Sequence, residues 1–195
     1  MECTAFFGRP APEVAPELLG SFVSAGAVTI RVTEVEAYTG ITDPASHAYR
    51  GPTPRTEVMF GPPGHIYVYF VYGAHWAMNL VCGAAGTAAA CLLRAGEVVA
   101  GEEVARERRG EKPARHALAR GPGNLARAMG IVGATSGTEL WAGPVRWCPR
   151  AEPVEACHGP RVGVNSAAEV AWRFWIPGER SVSAYRKHTP RLRPR

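Results

Sequence analysis

Two glutamates separated by a single residue, Glu34 and Glu36, lie in the stretch AVTIRVTEVEAY at residues 27–38. The stretch alternates. Val28, Ile30 and Val32 share a strand face with both acids, and Thr29, Arg31, Thr33 and Val35 share the other. A carboxylate on an apolar face is costly unless something holds it or uses it. A strand end that opens into a cleft would use it, and Gly40 marks an exit soon afterwards. One of the pair is therefore a candidate general base. The bland alternative is a frayed strand end with both acids in water. Arg94 ends the apolar run ACLLRA and is a candidate partner, because a buried arginine without an acid is too costly. An acid held by an arginine suits hydrolysis by an activated water. It also suits stabilisation of an oxocarbenium-like state, as in breaking a sugar–base bond.

Other elements must place these groups. Residues 39–64 are broken by repeated Gly and Pro and carry His47. A loop this long is usually functional or disordered, and His47, Tyr49, Met59 and Phe60 make this one too apolar for a solvated linker. The run from His65 to Val81 predicts a strand, a turn at Gly73–Ala74 and a second strand. Tyr67, Tyr69 and Val71 share one face of the first strand, and Ile66, Val68, Phe70 and Tyr72 the other. Aromatic stripes in strands are usually core. Tyr72, however, stands at the mouth of the turn, where a rigid ring serves as a wedge into a stacked polymer. Asn79 is a candidate polar reader on the second strand.

The remaining pattern is supporting structure. Residues 10–24 predict a short amphipathic helix ending near Gly20, and 83–90 a turn. Residues 90–95 predict a short buried strand, and 97–109 a charged surface helix. A Gly-Pro-Gly turn opens a helix towards Ile131, whose amides are a weak candidate for holding a phosphate. Segments around 140–147, Arg161–Val164 and Trp172–Ile176 read as short strands, the last closing the sheet.

Length and composition bound the class. A chain of 195 residues, 46% of them hydrophobic, suits a single domain. No apolar run has membrane-spanning length, and the N-terminus lacks the pattern of a signal peptide. Five cysteines without a framework spacing favour a reducing, cytoplasmic setting. Cys148, Cys157 and His158 match no zinc-site spacing, and no nucleotide-binding glycine motif occurs, so neither metal nor cofactor is expected. Five of the 22 basic residues fall in the last ten, Arg191 and Arg193 among them, and the other 17 match the 17 acids. A domain at 1–185 with a basic tail at 186–195 is the expected organisation. Such a tail suits a polyanion or is simply solvated. Lys112 and Lys187 are the chain's two lysines.

The motifs EAY, SHA, MFGPPGHIYVYFVYG, MNLV, LLRA, GPGNLARAMGI and RVGV, in this order, resemble the alkyladenine (3-methyladenine) DNA glycosylase family across about residues 12–185. The resemblance implies an α+β fold: a single domain with a curved, partly open barrel-like antiparallel sheet, flanking helices and a protruding β-hairpin. It implies excision of alkylated or deaminated purines from damaged double-stranded DNA by base flipping, without a cofactor. By the same resemblance Glu36 is the base that activates water and Arg94 helps hold it. Tyr38 and Tyr69 sandwich the flipped base, and His47 closes the pocket. Tyr72 intercalates, and Asn79 screens purines by their exocyclic group. Val162 and Gly163 lie near the flipped nucleotide, and Arg191 and Arg193 are candidate DNA contacts.

Departures from the family pattern are Ala74, His75 and Trp76 after the hairpin tip, and a missing proline after Glu97. Lysine scarcity near Glu36 predicts a monofunctional enzyme that leaves an abasic site; no long apolar strip is left unassigned, so a monomer is expected, nucleoid-associated if bacterial. Rival readings are a non-catalytic nucleic-acid-binding module, a carbohydrate glycosidase using Glu34 and Glu36, and a structural domain.

Overall fold

The computed structural model describes residues 3–71 and 73–187. Its described strands are β1 (Phe22–Ala25), β2 (Val28–Tyr38), β3 (Ile66–Val71), β4 (His75–Cys82), β5 (Ala89–Ala100), β6 (Ala119–Arg120), β7 (Val145–Cys148), β8 (Cys157–Gly159) and β9 (Arg173–Trp175). The helices are α1 (Cys3–Phe7), α2 (Ala11–Leu18), α3 (Glu102–Arg109) and α4 (Pro122–Met129). All strands join one antiparallel sheet with the central order β3-β4-β5-β2-β1-β7. The sheet stays open, with β3 at one end and β7 at the other.

β2 is the axis of this sheet. It pairs with β5 along one edge. Along the other it pairs first with β1 and then, from Glu34 to Glu36, with β9. Its C-terminal half is therefore bonded on both sides. The β2–β5 register shifts near Thr29, Val32 and Glu34, and such irregularities bend a strand and sharpen its twist. Val28, Ile30, Val32 and Val35 are all fully buried.

β5 runs from Ala89 to Ala100, well past the expected 90–95, because it continues through Gly96. A Cβ there would lie 2.9 Å from Ile30 Cδ1 and 3.0 Å from the Arg31 carbonyl, so the close crossing of β2 requires glycine. The charged helix therefore starts later than expected, at Glu102. Its acids Glu102 and Glu103 lie in the first turn and Arg106, Arg108 and Arg109 in the last, which complements the helix dipole.

Three other expectations change. The first amphipathic helix, α2, stops at Leu18, and Phe22 begins β1. Arg150 covers that helix end by donating to the carbonyls of Pro16 at 3.3 Å, Glu17 at 3.0 Å and Leu19, groups that would otherwise lack partners. Arg161–Val164 is a loop, with Gly163 at φ +71°. The last strand, β9, joins the free edge of β2 instead of closing the sheet.

The main core lies between the sheet and the helices. Val14 and Leu18 of α2, Leu80 of β4, Leu93 of β5 and Leu125 of α4 are fully buried in it. Burying each such side chain stabilises the fold by about 1.5–3 kcal/mol. A second cluster of Ala48, Met59, Tyr67, Val81, Ala88 and Ala90 lies under residues 39–64. This explains how that loop is held, as its apolar content predicts. At its start Gly40 takes φ +69°, and a Cβ would come 2.5 Å from the Thr87 carbonyl.

Candidate active site

β2 delivers both acids to the interior, and Glu34 and Glu36 are each 0% exposed. The frayed-end alternative is thereby excluded. Glu36 is held by three donors from three parts of the chain. Its Oε1 accepts the Val162 N–H at 2.7 Å. Its Oε2 accepts the Tyr38 hydroxyl at 2.8 Å and Arg94 Nη1 at 3.2 Å. Arg94 reaches it because β5 pairs with β2 and places Leu92 opposite Glu36.

Glu34 lies two residues deeper along the same strand. Arg94 Nε donates to its Oε1 at 2.9 Å and Arg173 Nε at 2.7 Å. Ser183 adds its N–H to Oε2 at 2.7 Å and its hydroxyl to Oε1 at 2.9 Å. Burial opposes the charge of Glu34, but Arg94, Arg173 and the Ser183 amide outweigh it, and its pKa lies below the usual carboxylate value.

A cavity of about 570 Å³ opens beside the groups that hold Glu36, a size suited to a small ligand or a single base. Tyr38, Arg94 and Val162, the three groups that hold Glu36, all line it, as do His47, Tyr69 and Asn79. Gly163 lines it too. The residues named from the sequence are therefore brought together, apart from Tyr72, Arg191 and Arg193, which lie outside the described residues.

The cavity walls are aromatic. The His47 ring meets Tyr69 edge-on at 4.4 Å, and Tyr67 stacks beside Tyr69 at 5.6 Å. Burial first, then Glu36, raises the Tyr38 hydroxyl well above its ordinary pKa, and burial raises Tyr69 as well. Both phenols therefore stay protonated at neutral pH. His47 lies at the mouth, with Nδ1 3.3 Å from the Tyr67 hydroxyl. Its partial withdrawal from water, and then the nearby Arg55, lower its pKa from 6.5 to about 4. Its imidazole is neutral at pH 7. Asn79 donates to the Tyr67 carbonyl at 3.0 Å, which fixes its amide beside the cavity.

Several supports escaped the sequence reading. Arg161 is completely buried and forks onto both oxygens of Asp43, one at 2.9 Å. It also donates to the Ala37 carbonyl at 3.1 Å, and its guanidinium lies 4.7 Å from the Tyr38 ring centroid. This stack backs the Tyr38 ring and anchors the loop that presents the Val162 amide. RVGV held a visible arginine, but nothing in its neighbourhood pointed to Asp43. Arg55 lies 5.3 Å from the Tyr69 ring centroid.

Among the described residues no group of His, Cys, Asp or Glu could hold a metal ion, and no helix is long and apolar enough to cross a membrane. The methylpurine-DNA glycosylase family matches residues 5–180, and the chain belongs to it. Its class is that of a DNA N-glycosylase. A protein of Frankia casuarinae named "Putative 3-methyladenine DNA glycosylase" is 50% identical over 203 residues, covering 97% of this chain and 94% of its own. Proteins of the same name from Streptomyces avermitilis and Corynebacterium jeikeium are 50% and 49% identical. They cover 96% and 92% of this chain, and 93% and 90% of their own.

Proposed function

We propose that this enzyme turns an alkylated or deaminated purine nucleotide out of duplex DNA and hydrolyses its N-glycosidic bond with water activated by Glu36. The substrates are of the 3-methyladenine, 7-methylguanine and hypoxanthine class. The observation that carries this reading is the hydrogen-bonding of Glu36. A carboxylate oxygen accepts two hydrogen bonds. Oε2 has two donors, but Oε1 has one among the described residues, the Val162 amide. These donors orient the carboxylate behind the cavity wall formed by Tyr38, Arg94 and Val162, and a water delivered from the cavity would donate its proton to it.

The other groups take complementary roles. Arg94 and the Val162 amide keep the carboxylate oriented. Tyr38 and Tyr69 supply flat surfaces that sandwich the purine, and His47 closes the pocket and contacts the base. A neutral His47 avoids repelling a base that already carries a positive charge. Asn79 screens purines by their exocyclic group. The negative charge of Glu36 also favours the oxocarbenium character that develops on the sugar as the base leaves. Tyr72, assigned from the resemblance, fills the gap left in the stack.

The enzyme is monofunctional on this reading. Cleavage of the backbone needs an amine to form a Schiff base, whereas Lys112 and Lys187 are exposed and neither lines the cavity.

The test uses duplex DNA carrying one hypoxanthine, and separately a methylated duplex. The parent releases the base. Glu36→Gln slows release by about a hundredfold or more while binding is kept. Binding without release by the parent on both substrates would leave a nucleic-acid-binding module instead. Equal release by parent and variant would remove Glu36 from its role.

A further inference from the structure

Glu34 is the more tightly held of the two acids, yet the proposed reaction gives it no proton to move. Its four partners are Arg94, Arg173 and both the amide and the hydroxyl of Ser183. Arg94 is thereby divided. Nε goes to Glu34 at 2.9 Å, Nη1 to Glu36 at 3.2 Å, and Nη2 to the Ser183 hydroxyl at 3.4 Å. Glu36 thus receives one guanidinium N–H, and at the longer distance. An arginine facing a single carboxylate commonly grips it with two parallel bonds. Such a grip stabilises the anion and weakens it as a base.

We propose that Glu34 is a positioning residue: by holding Arg94 and Arg173 it keeps Arg94 to one contact with Glu36 and so preserves the capacity of Glu36 to take a proton. The catalytic importance of this rests on the reading of Glu36 as the general base. The charge balance around Glu36 makes Glu34 the group that matters. From β2 it is faced by Tyr38 and Glu34, from β5 by Arg94, and from β3 by Tyr69. Arg173 comes from β9, beyond Glu34, and Arg161 from the adjoining loop. Arg161 is already neutralised by Asp43, and the two tyrosines remain uncharged. Two arginines and two glutamates are left, and removal of either kind tips the balance.

The experiment follows the Glu36 side-chain carboxyl by carbon-13 NMR in the full chain, assigned with Glu36→Gln, alongside the pH–rate profile for base release. In Glu34→Gln the freed Arg94 turns onto Glu36. The Glu36 titration midpoint falls by about one pH unit or more, and the acid limb of the rate profile follows it. Turnover falls about tenfold while Kd for lesion-bearing duplex stays within about twofold. In Arg173→Gln, Glu34 keeps Arg94 to itself and a cation is lost, so the midpoint moves up. A packing role would move both variants the same way, or neither. An unchanged or raised midpoint in Glu34→Gln, or a lowered one in Arg173→Gln, overturns the proposal. Should Glu34→Gln not fold, the direction in Arg173→Gln decides alone. Failure of the parent to release any damaged base would sink the proposed function, while the titration would still decide whether Glu34 sets the proton affinity of Glu36.

Discussion

The Val162 amide and the Glu36 carboxylate meet at 2.7 Å although they stand 126 residues apart in sequence. The donor belongs to the backbone, so its direction depends on the loop around it. That loop is fixed on one side by the buried Arg161 and on the other by Gly163, whose N–H donates to the Arg186 carbonyl at 3.1 Å. Orientation of the acid is thus a property of loop conformation as much as of side chains.

The Val162 side chain and its amide are separable. Val162→Ala keeps the N–H and retains base release close to that of the parent. Val162→Pro removes it and slows release by about a hundredfold, the scale seen when one positioned donor is lost from an active site. Single-turnover release from a hypoxanthine duplex distinguishes them, and equal rates in the two variants would remove the amide from the mechanism.

Asp43 and Arg161 are both fully buried and paired through two bonds. Asp43→Asn leaves the arginine charged in the interior, which costs about 3–5 kcal/mol of stability. Urea unfolding measures this. The same variant also loses base release, because the Tyr38 ring and the Val162 loop both rest on Arg161. A loss under about 1 kcal/mol, the usual worth of an exposed pair, would contradict the buried-pair account.

His47 imposes a pH dependence with a definite sign. Its folded pKa of about 4 lies below its ordinary 6.5. The unfolded chain therefore binds a proton first as pH falls. His47 costs no stability above pH 6.5, and stability declines progressively from there towards pH 4. Melting temperatures of the parent and His47→Gln, compared from pH 7 to pH 4, diverge in favour of the variant at the acid end. A constant difference would show that His47 does not titrate as its surroundings dictate.

Lys112 and Lys187 are exposed. Replacing both by Gln leaves the rate of base release unchanged, and the DNA backbone stays intact until the abasic product is treated with alkali. Borohydride added during turnover traps no protein–DNA adduct. A trapped adduct in the parent that vanished with either lysine would end the monofunctional reading.

Glu34, Glu36 and Arg94 were legible as buried charges because each is set in an apolar strand, a cost that demands a partner, whereas the choice of Glu36 over Glu34 came from the family resemblance. The aromatic strand at 65–71 was legible from its period. The extent of β5 was not, because Gly96 reads as a break until the crossing of Ile30 beneath it is known. Nor were the partners of Glu34 and of Arg161. Arg173 lies 139 residues from Glu34, and Asp43 lies 118 from Arg161. Such pairs arise only when the sheet and the loops over it are assembled, and no local pattern announces them. The Val162 amide is illegible in principle, since every residue except proline carries one.

The double pairing of β2 from Glu34 to Glu36 has a kinetic consequence. A strand bonded on both edges exchanges its amide protons only when the sheet itself opens, so Val35, whose N–H lies inside the ladder, belongs with the slowest-exchanging sites of the molecule. The distal part of β3, beyond Val68, by contrast, stands at the sheet's end, where β4 is its strand partner among the described residues. Its backbone can open to deuterium while the acids stay closed. On the proposed reading, the acid that takes the proton lies in the doubly paired ladder, whereas Tyr69 lies on the strand at the sheet's end.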